Sequence, residues 1–165
     1  TTLDRDLARV MEPRAATPPK RLEAVRALTA AGIPVSVLAS PMIPALNDHG
    51  LEAILEAAAE AGATGASYIL LRLPLEIGPL FQEWLTTHYP DRAERVLSLM
   101  RQTREGALYR SAFGTRMKGT GPYADLLKQR FTLTTRRLGL DGRRWDMDCT
   151  RFKPPPAKGD QLRLL

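Results

Sequence analysis

The feature that most constrains this chain is a repeated unit in its first half: a helix-forming run, a glycine stop, a short apolar strand-like run and a proline. The first copy passes from Leu22, Val25 and Leu28 at helical spacing to Ala31-Gly32, then to strand-like residues 34–40 and Pro41. The second passes from Leu51, Ile54, Leu55 and Ala58 to Ala61-Gly62, then to residues 66–72 and Pro74. A period of roughly thirty residues is that of a βαβ crossover, which makes consecutive strands parallel neighbours. Both strand runs are largely apolar, as strands covered on both faces are. Two or three parallel strands cannot cover both faces of a sheet by themselves, so further strands are expected upstream of Thr1. The chain therefore reads as the back part of a longer α/β protein. Residues 1–74 form the C-terminal βα units of a partial barrel.

Local signals sharpen these elements. Thr17 can cap a helix whose first position is Pro18, and Gly32 is the expected breaker at its end. Asn47 or Asp48 can cap the next helix, which turns Leu51, Ile54, Leu55 and Ala58 inward and Glu52, Glu56 and Glu60 outward. Beyond Pro74 the pattern becomes helical. Leu80, Phe81, Trp84 and Leu85 mark one helix, and Val96, Leu97 and Met100 mark another between Asp91 and Arg104. A glycine-rich basic loop, residues 106–121, precedes a third helix from Pro122 to about Leu138. This gives an α-helical extension over residues 75–139 and a largely irregular basic tail over residues 140–165.

Charge is divided unevenly. Residues 1–100 hold 9 Lys/Arg against 12 Asp/Glu, whereas residues 101–165 hold 15 against 6. A basic C-terminal third suits a polyanion, DNA or RNA. The one cysteine, Cys149, excludes an internal disulfide and a multi-cysteine metal site in this segment. No apolar run approaches the ~18 residues of a membrane span and no secretory leader opens the chain, so a cytoplasmic location without a membrane partner is expected.

In parallel α/β folds ligands meet the loops just past the carboxyl ends of the strands. Those places are residues 1–4, 40–48 and 71–74. The basic loop is the best candidate for phosphate contact. Gly114, Gly119 and Gly121 free its amides, Arg116 and Lys118 add charge, and a helix N-terminus follows. Glu12 invites a general-base reading but stands before Pro13 at a helix end. His49 and His88 have no Cys or carboxylate partner at ligand spacing, so no metal is assigned. Phe81, Trp84 and Tyr89 sit at helical spacing and read as packing aromatics.

Thr-Thr-Leu-Asp at 1–4, Glu12-Pro13-Arg14, Pro18 with Arg21-Leu22, and Pro41-Met-Ile-Pro-Ala-Leu-Asn-Asp48 together resemble the second half of a radical S-adenosylmethionine enzyme, in the branch related to spore photoproduct lyase. Leu71-Arg-Leu-Pro74, Phe113-Gly-Thr-Arg-Met117 and Gly121-Pro-Tyr-Ala124 are similar to the C-terminal extension of a bacterial group in that branch. The resemblance implies, for the whole protein, a [4Fe-4S] cluster, reductive cleavage of S-adenosylmethionine and radical hydrogen abstraction, with a substrate related to nucleic acid. The family's cluster-bearing Cys-x-x-x-Cys-x-x-Cys loop has no counterpart here, so this segment alone is expected to be inactive. The resemblance assigns the adenosyl part of the cofactor to Thr1, Thr2, Ser40, Pro41, Met42, Leu71 and Arg72, and the methionyl carboxylate to Arg14.

The last five residues, Gln161-Leu162-Arg163-Leu164-Leu165, resemble the pentapeptide by which bacterial repair proteins dock on the DNA sliding clamp. Gln161, Leu162, Leu164 and Leu165 would be the anchors, on a spacer stiffened by Pro154-Pro155-Pro156. The alternative to the enzyme is therefore a non-catalytic module that binds nucleic acid or the clamp. An unrelated aldolase-like barrel needs a Schiff-base lysine at a strand end, and the βα half offers only Lys20, within a helix.

Overall fold

A computed structural model describes residues 2–141 and 149–155. Two parallel strands and six helices follow in the order α1 (Arg5–Met11), α2 (Pro18–Ala30), β1 (Ser36–Met42), α3 (Leu51–Glu60), β2 (Gly65–Leu70), α4 (Ile77–His88), α5 (Pro90–Gln102) and α6 (Gly121–Leu138). The chain is thus α/β, mostly helical, with a small parallel sheet. Asp4 caps α1 by accepting from the amides of Asp6 and Leu7. Pro18 and Pro122 occupy first turns, where a missing N–H costs nothing. Gly139 ends α6 at φ 68°, a left-handed stop that an L side chain resists.

The strands run in register from Ser36 beside Gly65 to Ala39 beside Tyr68, then shift so that Met42 pairs with Leu70. That shift corrects the expected strand end. β1 continues through Pro41, because the bulge takes residue 41 out of the ladder and its missing amide donor is not needed. β2 stops at Leu70, two residues early. Leu71 still donates to the Met42 carbonyl at 2.9 Å, but its own carbonyl is claimed by the Arg104 guanidinium at 3.1 Å.

Alternation along the strands makes the two faces of the sheet different. Ala39, Tyr68 and Leu70 are buried against Leu51, Ile54, Leu55 and Ala58 of α3 and against Ala124 and Leu127 of α6. On the other face Leu38 is 51% exposed, and Ser36 and Ser67 lie open. A second cluster joins Leu7 of α1, Ile43 and Leu46 after β1, Leu73, Leu85 of α4, and Val96 and Met100 of α5. Within the stretch from residue 75 to 139, α4 and α5 contribute to this second cluster. The last helix of that stretch, α6, belongs to the core of the sheet because Ala124, Leu127 and Phe131 supply the apolar stripe that covers Tyr68 and Leu70.

The outer edge of β2 is closed by the chain itself. Ala66 donates to the Leu140 carbonyl at 3.2 Å and Leu70 donates to the Met117 carbonyl at 2.9 Å. Between them the Lys118 ammonium donates to the Tyr68 carbonyl. An edge sealed in this way cannot template a further strand. Among the described residues no helix is long and apolar enough to cross a membrane.

Candidate functional site

The parallel register brings the loops after β1 and β2 level, so Ser40, Pro41, Met42, Leu71 and Arg72 converge on one end of the sheet. Their side chains do not all face a ligand. Met42 is fully buried in the core and its carbonyl is occupied by Leu71, so its side chain is unavailable to an adenosyl group. Ser40 and Pro41 are half-buried. Asn47 holds this loop in shape: its side-chain oxygen accepts from the Ile43 amide at 2.7 Å and its amide donates to the Pro41 carbonyl at 2.9 Å. Asn47 thus braces a turn and does not cap α3, which is preceded by a short turn of 3-10 helix at Asp48–Gly50.

Arg72 folds back toward the extension, where it donates to the Tyr109 hydroxyl at 3.1 Å and lies 3.9 Å from the Met117 sulfur. Beside it stands Arg104, which is only 2% exposed: its two terminal nitrogens donate to the carbonyls of Thr115 and Leu71, each at 3.1 Å, while its buried Nε finds no partner among the described residues. Burial, reinforced by the Arg72 charge, pulls the Arg104 pKa below the ordinary guanidinium value. Arg104 therefore ties the basic loop to the end of β2. Sequence reading missed it, because an arginine just past a helix end looks like a solvated charge.

Thr2 and Arg14 belong to the segment that precedes β1. The Thr2 hydroxyl accepts from the Asp4 amide at 3.1 Å, and Thr2 shares with Leu22, Val37 and Leu38 a cleft of about 210 Å³ between α2 and β1. Arg14 is exposed. In that turn it is Arg21 that is fixed, by Glu12 at 2.6 Å and by the Ala16 carbonyl at 2.9 Å. Glu12 is accordingly an ion-pair partner. Thr1 lies outside the described residues.

The basic loop departs from the expected display of two outward cations. Lys118 is turned inward: its ammonium sits 3.4 Å from the centre of the Tyr68 ring and 5.4 Å from that of Phe131. Burial pulls its pKa down to about 8. A carbonyl at a strand edge and an electron-rich ring attract an ammonium as a phosphate does, so composition alone does not separate the two destinations. Arg116 is only partly buried, with its guanidinium 5.5 Å from the centre of the exposed Phe113 ring.

Much of the basic charge on α6 is likewise spent internally. Arg130 grips Glu52 through two hydrogen bonds of 2.7 and 2.6 Å, and Arg137 pairs with Glu56. Arg130 also donates to the Asp48 carbonyl at 3.0 Å, and the Tyr123 hydroxyl donates to the buried Asp48 carboxylate. Burial and that acidic partner push the Tyr123 pKa up to about 12, while Arg130 holds Glu52 below the usual carboxylate value. This network borders an open cleft of about 560 Å³ with His49, Arg92 and Arg95 on its rim. The pairing partners are some 80 residues apart, which is why periodicity within each helix does not show them. Gln161, Leu162, Leu164 and Leu165 lie outside the described residues.

Three uncharacterised mycobacterial proteins, one of Mycobacterium bovis and two of Mycobacterium tuberculosis, are each 35% identical to this chain over 101 residues. The match takes in 60% of this chain and spans 30% of the length of those relatives. No family model matches the chain, and no solved structure does.

Proposed function

We propose that this chain supplies the closing βα units and the helical extension of a larger radical S-adenosylmethionine enzyme. The observation that carries the reading is the asymmetry of the sheet. The β2 edge is sealed by Met117, Lys118 and Leu140, one face is covered by α3 and α6, and the opposite face presents Leu38, Ser36 and Ser67. A last pair of strands in a partial barrel has this form, with its inner face turned toward the remaining strands and the ligand.

The residues present fit part of the cofactor. At the mouth, Ser40 and Pro41 offer a small, half-buried surface for an adenosyl group, and the partly exposed Arg72 borders the same end. Met42 and Leu71 hold the two strand ends together through their backbone bond and stay out of the pocket. The cluster does not fit this segment: an iron–sulfur centre needs several thiolates, and Cys149 is the one cysteine in the sequence. When bound to a reduced cluster, S-adenosylmethionine supplies one-electron, hydrogen-abstracting chemistry, and the share of these residues is to orient it and exclude water.

Anaerobic iron and sulfide reconstitution tests the reading, run in parallel on the 165-residue chain and on the longer protein that contains it. The chain alone should take up no cluster and form no 5′-deoxyadenosine; the longer protein should do both. A cluster on the isolated chain, or none on the longer protein, overturns the proposal.

A further inference from the structure

Phe113 is 90% exposed, which forgoes the burial that normally decides where a phenylalanine sits. It stands at the tip of the loop that seals β2, and the base of that loop is fixed. Met117 and Thr115 supply carbonyls to Leu70 and Arg104, while a helical turn ties Arg116 to Ala112 at 3.0 Å and Gly119 to Thr115 at 2.7 Å. This turn carries the Arg116 guanidinium over the ring. Gly114, at φ 90° with open space around it, lets the chain reverse immediately after the aromatic. Charge favours an anionic partner: of the five Lys/Arg in residues 101–120, Arg104 and Lys118 are turned inward, but Arg101 and Arg110 are exposed and Arg116 is partly exposed, and the single acidic residue, Glu105, is paired with Arg110.

We propose that Phe113 and Arg116 form a stacking platform for an unpaired base of single-stranded nucleic acid, with Arg116 placed to meet the adjoining phosphate. The ring face opposite Arg116 accepts any base, and the guanidinium over the other face supplies both stacking and backbone charge. A duplex keeps its bases stacked inside and offers the ring nothing comparable. The platform lies on the loop tied to the carboxyl end of β2, so a strand held there passes next to the candidate cofactor end. The inference rests on this loop alone and does not require the radical chemistry.

Fluorescence anisotropy of a labelled oligothymidine, titrated with the full 165-residue chain across a salt series, tests it. Phe113→Ala should weaken binding roughly tenfold while leaving the salt dependence unchanged, since stacking releases no counterion. Arg116→Ala should weaken it and flatten the slope of log affinity against log salt by roughly one. Phe113→Tyr should retain affinity and Phe113→Leu should not, which separates a ring face from mere apolar area. An exposed tip position makes misfolding of these variants a poor explanation for loss. No binding at low salt, equal affinity for a duplex of the same phosphate count, or an unaffected Phe113→Ala variant overturns the proposal. So does Phe113-dependent binding to phosphatidylglycerol vesicles without binding to oligothymidine.

Discussion

Replacing Gly119 by alanine should destabilise the chain by about 3 kcal/mol, one of the largest effects expected from adding a single methyl group anywhere in it. Gly119 has φ 75°, and a Cβ there would lie 2.9 Å from the Thr103 carbonyl oxygen and 2.9 Å from a methyl of Leu70. The left-handed backbone alone costs an alanine about 1 kcal/mol. The remainder comes from the backbone oxygen, which cannot swing aside as a side chain could. Thr103 also accepts from the Thr120 amide at 3.0 Å, so moving it opens the loop where it joins α6. Gly114→Ala is the control, because its φ of 90° carries the same conformational penalty with no neighbour within 4 Å. Urea denaturation should place Gly119→Ala at least 1 kcal/mol below Gly114→Ala. Equal midpoints for the two would show that the close approach does not matter.

Lys118→Met should lower stability by about 2 kcal/mol at neutral pH, because it leaves the Tyr68 carbonyl unpaired at the strand edge and removes the cation from the ring. The pH dependence is the sharper result. Burial depresses the folded-state pKa of Lys118 from 10.5 to about 8. Between those values the unfolded chain binds more protons than the folded one, so stability contributed by this group rises with pH across that window. The neutral amine still donates to the carbonyl. After allowance for partial screening, the wild type should gain about 1–2 kcal/mol relative to Lys118→Met from pH 7 to pH 10. The comparison with the variant removes the opposing tyrosine contributions, since both proteins carry Tyr68 and Tyr123. A stability gap that stays constant or shrinks over this range would refute the buried-ammonium account.

What was legible in the sequence and what was not divides along physical lines. The stripe Leu51, Ile54, Leu55 and Ala58 is buried as its spacing predicts, and Gly32 follows the end of α2 with positive φ. These features depend on neighbours within a turn, which the sequence states directly. β1 runs past its expected end because Pro41 sits at a bulge, where its missing donor is not needed, and a bulge is set by the partner strand. The candidate site suffered more. In the sequence Lys118 reads as a phosphate contact, and Arg130 and Arg137 count only toward the basic C-terminal third; the fold places the Tyr68 carbonyl, Glu52 and Glu56 opposite them. Phe113 stands in a quoted motif, but its ring carries no role in the sequence, for the converse reason. An isolated aromatic in a loop has no period, and only its exposure distinguishes it from the packing aromatics Phe81 and Trp84.

Asn47 has a reach beyond the turn that it braces. Met42 belongs to the hydrophobic cluster under the sheet, whereas Ile43, one residue later, belongs to the cluster between α4 and α5. The Asn47 side chain clasps both sides of that junction, with Pro41 on one and Ile43 on the other. Neither cluster can come apart without straining the backbone junction at residues 41–43, which the buried Asn47 holds from both sides. The two halves are therefore joined in their melting. Slow amide exchange in the strands and in α5 should be governed by the same global opening, and the molecule should lose both cores in one cooperative step.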